Sequence, residues 1–129
     1  MKPRFLFIFF FFLSISTLGQ TRNCNALHTG VFTASSEQYG TTVITRTKRL
    51  QIEENTLLGY KLAYTINWKS DCVYELKLKK VIKGDQALIR ESKYILTIKI
   101  TQIKPNSYIT ENSSTFSDEI STHEIKIIK

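Results

Sequence analysis

The sequence predicts an all-β fold, an antiparallel meander of seven to eight strands forming a small barrel or a half-open curled sheet. Three observations predict it. Apolar and polar residues alternate with a period of two along three long stretches, the connections are short, and no stretch of comparable length has a helical period. Such alternation puts one side-chain set on each face of a strand, as a half-buried antiparallel sheet requires.

The first nineteen residues stand apart from this pattern. Lys2 and Arg4 precede the apolar run Phe5–Leu18, and Thr17 and Gly19 supply small residues for cleavage before Gln20. This is the layout of a signal peptide. The run of 14 residues is short of the roughly 20 that a membrane-spanning helix needs. The expectation is a leader over 1–19 and a single all-β domain over 20–129, exported to the periplasm or secreted, with no stable membrane span after cleavage. Without the leader, 16 basic residues face 11 acidic ones, a net charge of +5. Two cysteines in an exported chain point to a Cys24–Cys72 disulfide. Closing a loop of that length is worth about 4 kcal/mol in the loop-entropy treatment.

Leu27–Ala34 is expected to open the sheet, and Thr42–Thr47 with Leu50–Glu54 to form a hairpin around Lys48 and Arg49. In "GYKLAYTINWK", Leu62, Tyr64, Ile66 and Trp68 share one face. Lys61, Ala63, Thr65, Asn67 and Lys69 share the other. "CVYELKLKK" sets Cys72, Tyr74, Leu76 and Leu78 against Val73, Glu75, Lys77 and Lys79. Parity then predicts a three-residue loop, Lys69–Asp71, or a longer one of the same parity. The shorter loop places Trp68 opposite Cys72, Ile66 opposite Tyr74 and Tyr64 opposite Leu76. The segment 84–92 has the makings of one helical turn. Tyr94, Leu96, Ile98 and Ile100 form the next inward face, "PNS" at 105–107 makes a turn into Tyr108–Ser113, and Ser121–Ile128 closes the chain.

Catalytic chemistry finds little support. Neither cysteine has a C-x-x-C partner or a helix N-terminus to lower its pKa. The two histidines, His28 and His123, are not clustered with other metal ligands, and His123 reads as a surface or rim residue. Acids such as Glu53–Glu54, Glu75 and Asp118–Glu119 read as solvated. No nucleophile-elbow serine and no phosphate-cradling glycine loop occurs. The reading is no enzyme, no catalytic residue, no metal and no cofactor. Lys61, Lys69, Lys77, Lys79 and Lys99 fall on solvent faces, where lysine keeps strands soluble. An anionic surface is the alternative partner. Specific nucleic-acid binding is not expected, because the aromatics lie on the opposite face. Tyr64, Trp68, Tyr74 and Tyr94 bring polar tips into an apolar lining. They read as packed core first and as the lining of a ligand site second.

At "CNALHTGVF", "TRTKRLQIEE" and "INWKSDCVYEL" the chain resembles a family of small exported bacterial proteins of about this length. The shared features are Cys24, Gly30 with Phe32, Arg46, Gln51-Ile52-Glu53, and Trp68, Asp71, Cys72 and Tyr74. The resemblance implies a fold and no activity. Some relatives carry a DNA topoisomerase IV label, which a signal peptide, 110 further residues and no ATPase or tyrosine-cleavage architecture do not support. The strand pattern and length also resemble lipocalin-like barrels, although the chain is short for the pocket of the larger members. The expected function is an exported, non-enzymatic β domain with a binding or structural role. The alternative is a lipocalin-like carrier of a small apolar ligand.

Overall fold

A computed structural model describes residues 23–129. The expected leader over 1–19 lies outside the described residues. The strands are β1 Gly30–Ser36, β2 Gly40–Arg46, β3 Leu50–Asn55, β4 Tyr60–Ser70, β5 Val73–Lys83, β6 Leu96–Ile103, β7 Ser107–Ser114 and β8 Ser121–Ile127. Each pairs antiparallel with the next, and β8 returns to β1 to close the barrel. Closure removes the free sheet edges except along β5 beyond Leu76, where β6 does not pair. Among the described residues no helix is long and apolar enough to cross a membrane.

The first strand starts later than the alternation suggests. Cys24–Leu27 forms a 3₁₀ turn instead, held by the Cys24–Cys72 disulfide. Gly30 then enters the sheet at φ 138°, and a Cβ there would lie 2.6 Å from the Lys129 carbonyl oxygen. Only glycine fits that approach. Val31 N–H donates to the same oxygen at 2.7 Å, so the chain's last residue seals the seam between β1 and β8. Residues 84–92 do hold helical structure, a 3₁₀ segment over Gln86–Lys93 capped by the Asp85 side chain.

The β4–β5 hairpin keeps the expected parity, but its pairs move by two residues. Trp68 faces Tyr74, Ile66 faces Leu76 and Tyr64 faces Leu78. The connection is the two-residue turn Asp71–Cys72, shorter than the expected loop of three or more, and a register shift between Trp68 and Ser70 restores the parity while Cys72 bonds to Cys24. Because a slip of two preserves facing, Ile66, Tyr74, Leu76 and Leu78 are all buried as expected. Ala63 departs from expectation. It is buried on the outer face, flanked across the strands by Ile52 and Lys80, where the register shifts between Ala63 and Tyr64.

The main core runs through the barrel from Leu27 and Phe32 to Ile98, Ile100, Tyr108 and Ile125. A smaller cluster of Leu62, Leu78 and Val81 lies beside it. The two ends of the barrel differ. At one end the Cys24–Leu27 turn covers the interior, with Leu27 and Cys24 buried beneath it. At the other end, the loops 37–39, 56–59, 84–95 and 115–120 surround a mouth and expose Tyr39, Leu57, Leu58, Ile89, Phe116 and Ile120. The wall is also thin in one place. β5 pairs with β6 only over Val73–Leu76, and beyond Leu76 the 3₁₀ segment packs against β5 instead.

Candidate functional site: the barrel lumen

Polar side chains enter this interior from β3, against the sequence expectation. Ile44 on β2 faces Glu53, and Arg46 faces Gln51. Gln51, Glu53 and Asn55 therefore point inward, while Leu50 and Ile52 point out. Glu53 is not the solvated acid its sequence context suggested. Burial raises its carboxyl to about 7, against the opposing pull of the Arg46 guanidinium and a hydrogen bond from Tyr64.

Arg46 is the centre of the closed end and is only 2% exposed. Its Nε donates to Gln51 Oε1 at 2.9 Å and its Nη1 to the Leu27 carbonyl at 2.7 Å. Nη2 donates to the hydroxyls of Tyr74 at 2.9 Å and Tyr108 at 3.1 Å. The guanidinium carbon sits 4.6 Å from the Phe32 ring centre and 4.9 Å from that of Tyr74. Four of its five N–H groups are thus engaged, and aromatic rings cover the planar cation. Arg46 ties β1, β2, β3, β5, β7 and the 3₁₀ turn together, and it leaves a positive charge at the base of the lumen. Burial raises the pKa of both Tyr74 and Tyr108, so their hydroxyls stay neutral.

Above Arg46 lies a cavity of about 210 Å³. Ile44, Leu76, Ile98 and Ile125 form its apolar walls, and Glu53, Thr110 and Asn112 its polar ones. Thr110 is 1% exposed. The buried Thr110 Oγ1 and Asn112 Oδ1 have no hydrogen-bond partner within the protein. Buried polar atoms are nearly always paired; among the described residues these two and Trp68 Nε1, at the closed end, are the buried side-chain atoms that are not. His123 sits at the rim, exposed, and shares a 2.9 Å hydrogen bond with Ser121 Oγ.

A second chamber of about 200 Å³ occupies the gap in the wall between β5 and β6. Tyr64, Leu78, Tyr94 and Phe116 line it, and Leu76 and Leu96 border both chambers. The four aromatic residues singled out from the sequence therefore separate. Tyr74 reaches the lumen, and Tyr64 and Tyr94 reach the side chamber. Trp68 stays at the closed end, stacked on His28 at 3.5 Å and beside an outer groove with Lys48. His28 Nε2 donates to the Asp71 carbonyl at 2.8 Å, which fixes the ring on that face.

Arg46, Gln51, Glu53, Thr110 and Asn112 were not visible as a site from composition or spacing. The usable signal was parity, since Tyr108, Thr110 and Asn112 share one face of β7 and Gln51, Glu53 and Asn55 share one face of β3. Among the described residues, no three His, Cys, Asp or Glu side chains are grouped to hold a metal ion. Two of the outward lysines are ion-paired, Lys61 with Glu54 at 3.7 Å and Lys69 with Glu75 at 3.4 Å.

Set against known proteins, the chain matches no family model, no curated protein and no solved structure. Any functional reading therefore rests on the lumen itself.

Proposed function

We propose that this protein is an exported, non-enzymatic barrel that binds a small molecule in its lumen. One observation carries the reading. A cavity of about 210 Å³ lies inside a closed barrel, and two of the residues that line it, Thr110 and Asn112, each carry a buried polar atom with no protein partner. An eight-stranded barrel is just wide enough either to be filled by side chains or to hold one small ligand. Filling this one only with side chains would strand those atoms at about 1–3 kcal/mol each. Export is supported by the basic and apolar leader and by the Cys24–Cys72 disulfide.

Native mass spectrometry of the protein purified from its own source tests the reading. A discrete added mass, at lower occupancy in Thr110→Val, is the expected result. A clean apo mass, together with no binding in a screen of small metabolites, would overturn it.

A further inference from the structure

We propose that the ligand is a neutral amphiphile, whose hydroxyl or carboxamide head sits between Thr110 and Asn112. Its short apolar tail passes Leu76 and Leu96 into the chamber between β5 and β6. This rests on the lumen being a binding site and goes on to name the ligand's class and its second subsite.

The head follows from the unpaired atoms. Asn112 Oδ1 is an acceptor and needs a donor, whereas the Thr110 hydroxyl can both donate and accept. A hydroxyl or primary amide both donates and accepts, so it serves both atoms at once. A carboxylate offers no donor, and an ammonium offers no acceptor. The fixed charges oppose a charged head of either sign only where Glu53 is ionised, above about pH 7. Arg46 at the base of the lumen opposes a cationic head, and Glu53 opposes an anionic one once it ionises.

The tail follows from the geometry of the wall. Ile98 pairs with Asn112, and two residues along β6 Leu96 pairs with Leu76, where the β5–β6 ladder ends. A group bound at Asn112 is therefore one step from the side chamber. That chamber is walled mainly by Leu78, Tyr94 and Phe116 with Leu76 and Leu96, and Tyr64, Glu91 and Ser114 complete its lining. Phe116 meets Tyr94 edge-on at 5.1 Å and forms its outer lip. At about 30 Å³ for each water-sized atom, each chamber accommodates about seven non-hydrogen atoms. A short-chain amphiphile matches the two together.

The experiment is a titration of the disulfide-bonded protein with n-alkan-1-ols from butan-1-ol to decan-1-ol, read by isothermal calorimetry. Affinity is expected to rise about fourfold with each methylene until the side chamber is full, and then to level off. Phe116→Ala, at an exposed position that carries little folding burden, should weaken octan-1-ol several-fold and leave butan-1-ol unchanged. Thr110→Val should weaken every alkanol by a similar factor, about fivefold. Binding of butan-1-ol with no gain on lengthening, or a gain that Phe116→Ala leaves intact, would sink the tail subsite while the lumen stands as a binding site. Tighter binding of octanoate or octylamine than of octan-1-ol at pH 7 would overturn the neutral head. Silence from every alkanol overturns the inference as a whole, and the added mass from the native source separately decides whether the lumen binds anything.

Discussion

Replacing Arg46 with methionine keeps the aliphatic stem and removes the guanidinium that spans the closed end. Four hydrogen bonds from a charged group disappear, at about 1.5–3 kcal/mol each if nothing compensates. Two losses are recoverable. The Tyr74 and Tyr108 hydroxyls both approach the same Nη2 and can bond to each other. The buried cation's desolvation cost also disappears, and that is several kcal/mol. The Leu27 carbonyl and Gln51 Oε1 remain as stranded acceptors, at about 1–3 kcal/mol each. The expected loss is about 4 kcal/mol, a large part of a stability of about 5–15 kcal/mol. Urea unfolding under non-reducing conditions should show a midpoint lower by about 2 M with an unchanged slope. Arg46→Lys should recover less than half of this, because a single ammonium cannot reproduce the planar fork or its stacking on Phe32. Tyr74→Phe should cost about 1 kcal/mol in the native background and almost nothing beside Arg46→Met. A midpoint shift below about 0.5 M, or full additivity of the two substitutions, would refute Arg46 as the tie of the closed end.

Reduction, or paired replacement of Cys24 and Cys72 by serine, should lower stability by about 4 kcal/mol, the loop-closure value for a separation of 48 residues. Thiol labelling in denaturant without reductant should find no free cysteine before that treatment. Glu53 has a folded pKa raised to about 7 from 4.5, so the folded state holds its proton more tightly than the unfolded chain. Its contribution is fully present below about pH 4.5 and is lost as pH rises through about 7, with a slope of at most about 1.4 kcal/mol per unit. Urea midpoints across that range should show this slope in the native protein and not in Glu53→Gln. Gly30→Ala places a Cβ 2.6 Å from the Lys129 carbonyl oxygen at φ 138° and should cost about 1–3 kcal/mol. Amide exchange should then quicken first along β1 and β8.

The inward faces of β4, β5 and β6 were legible because large apolar residues recur there at every second position, as Ile66, Leu76 and Ile98 show. The hairpin register differs by two, because parity cannot distinguish shifts of two and alternation does not reveal the register shift between Trp68 and Ser70. Closure was left open by the sequence, since it depends on Phe32 finding Ile127 from the far end of the chain. The polar lumen was the hardest part to read. Gln51, Glu53 and Asn55 alternate with Leu50 and Ile52, so hydrophobicity alone turns β3 inside out. Only the pairing of Ile44 with Glu53 sets it right, and pairing is a tertiary fact. Arg46 was likewise invisible as a centre, because its partners come from four other strands and positions up to 62 residues away.

The seam at the closed end also fixes how the barrel can be oriented. Asn23 precedes the turn that covers the Arg46 end, and Lys129 bonds to Val31 at the same end. A tether joined to either side of the described chain would therefore hold the barrel by its base. The ring of Tyr39, Leu57, Leu58, Ile89, Phe116 and Ile120 would then point away from the point of attachment. Immobilised by either end, this barrel presents its mouth to the surroundings rather than to its support.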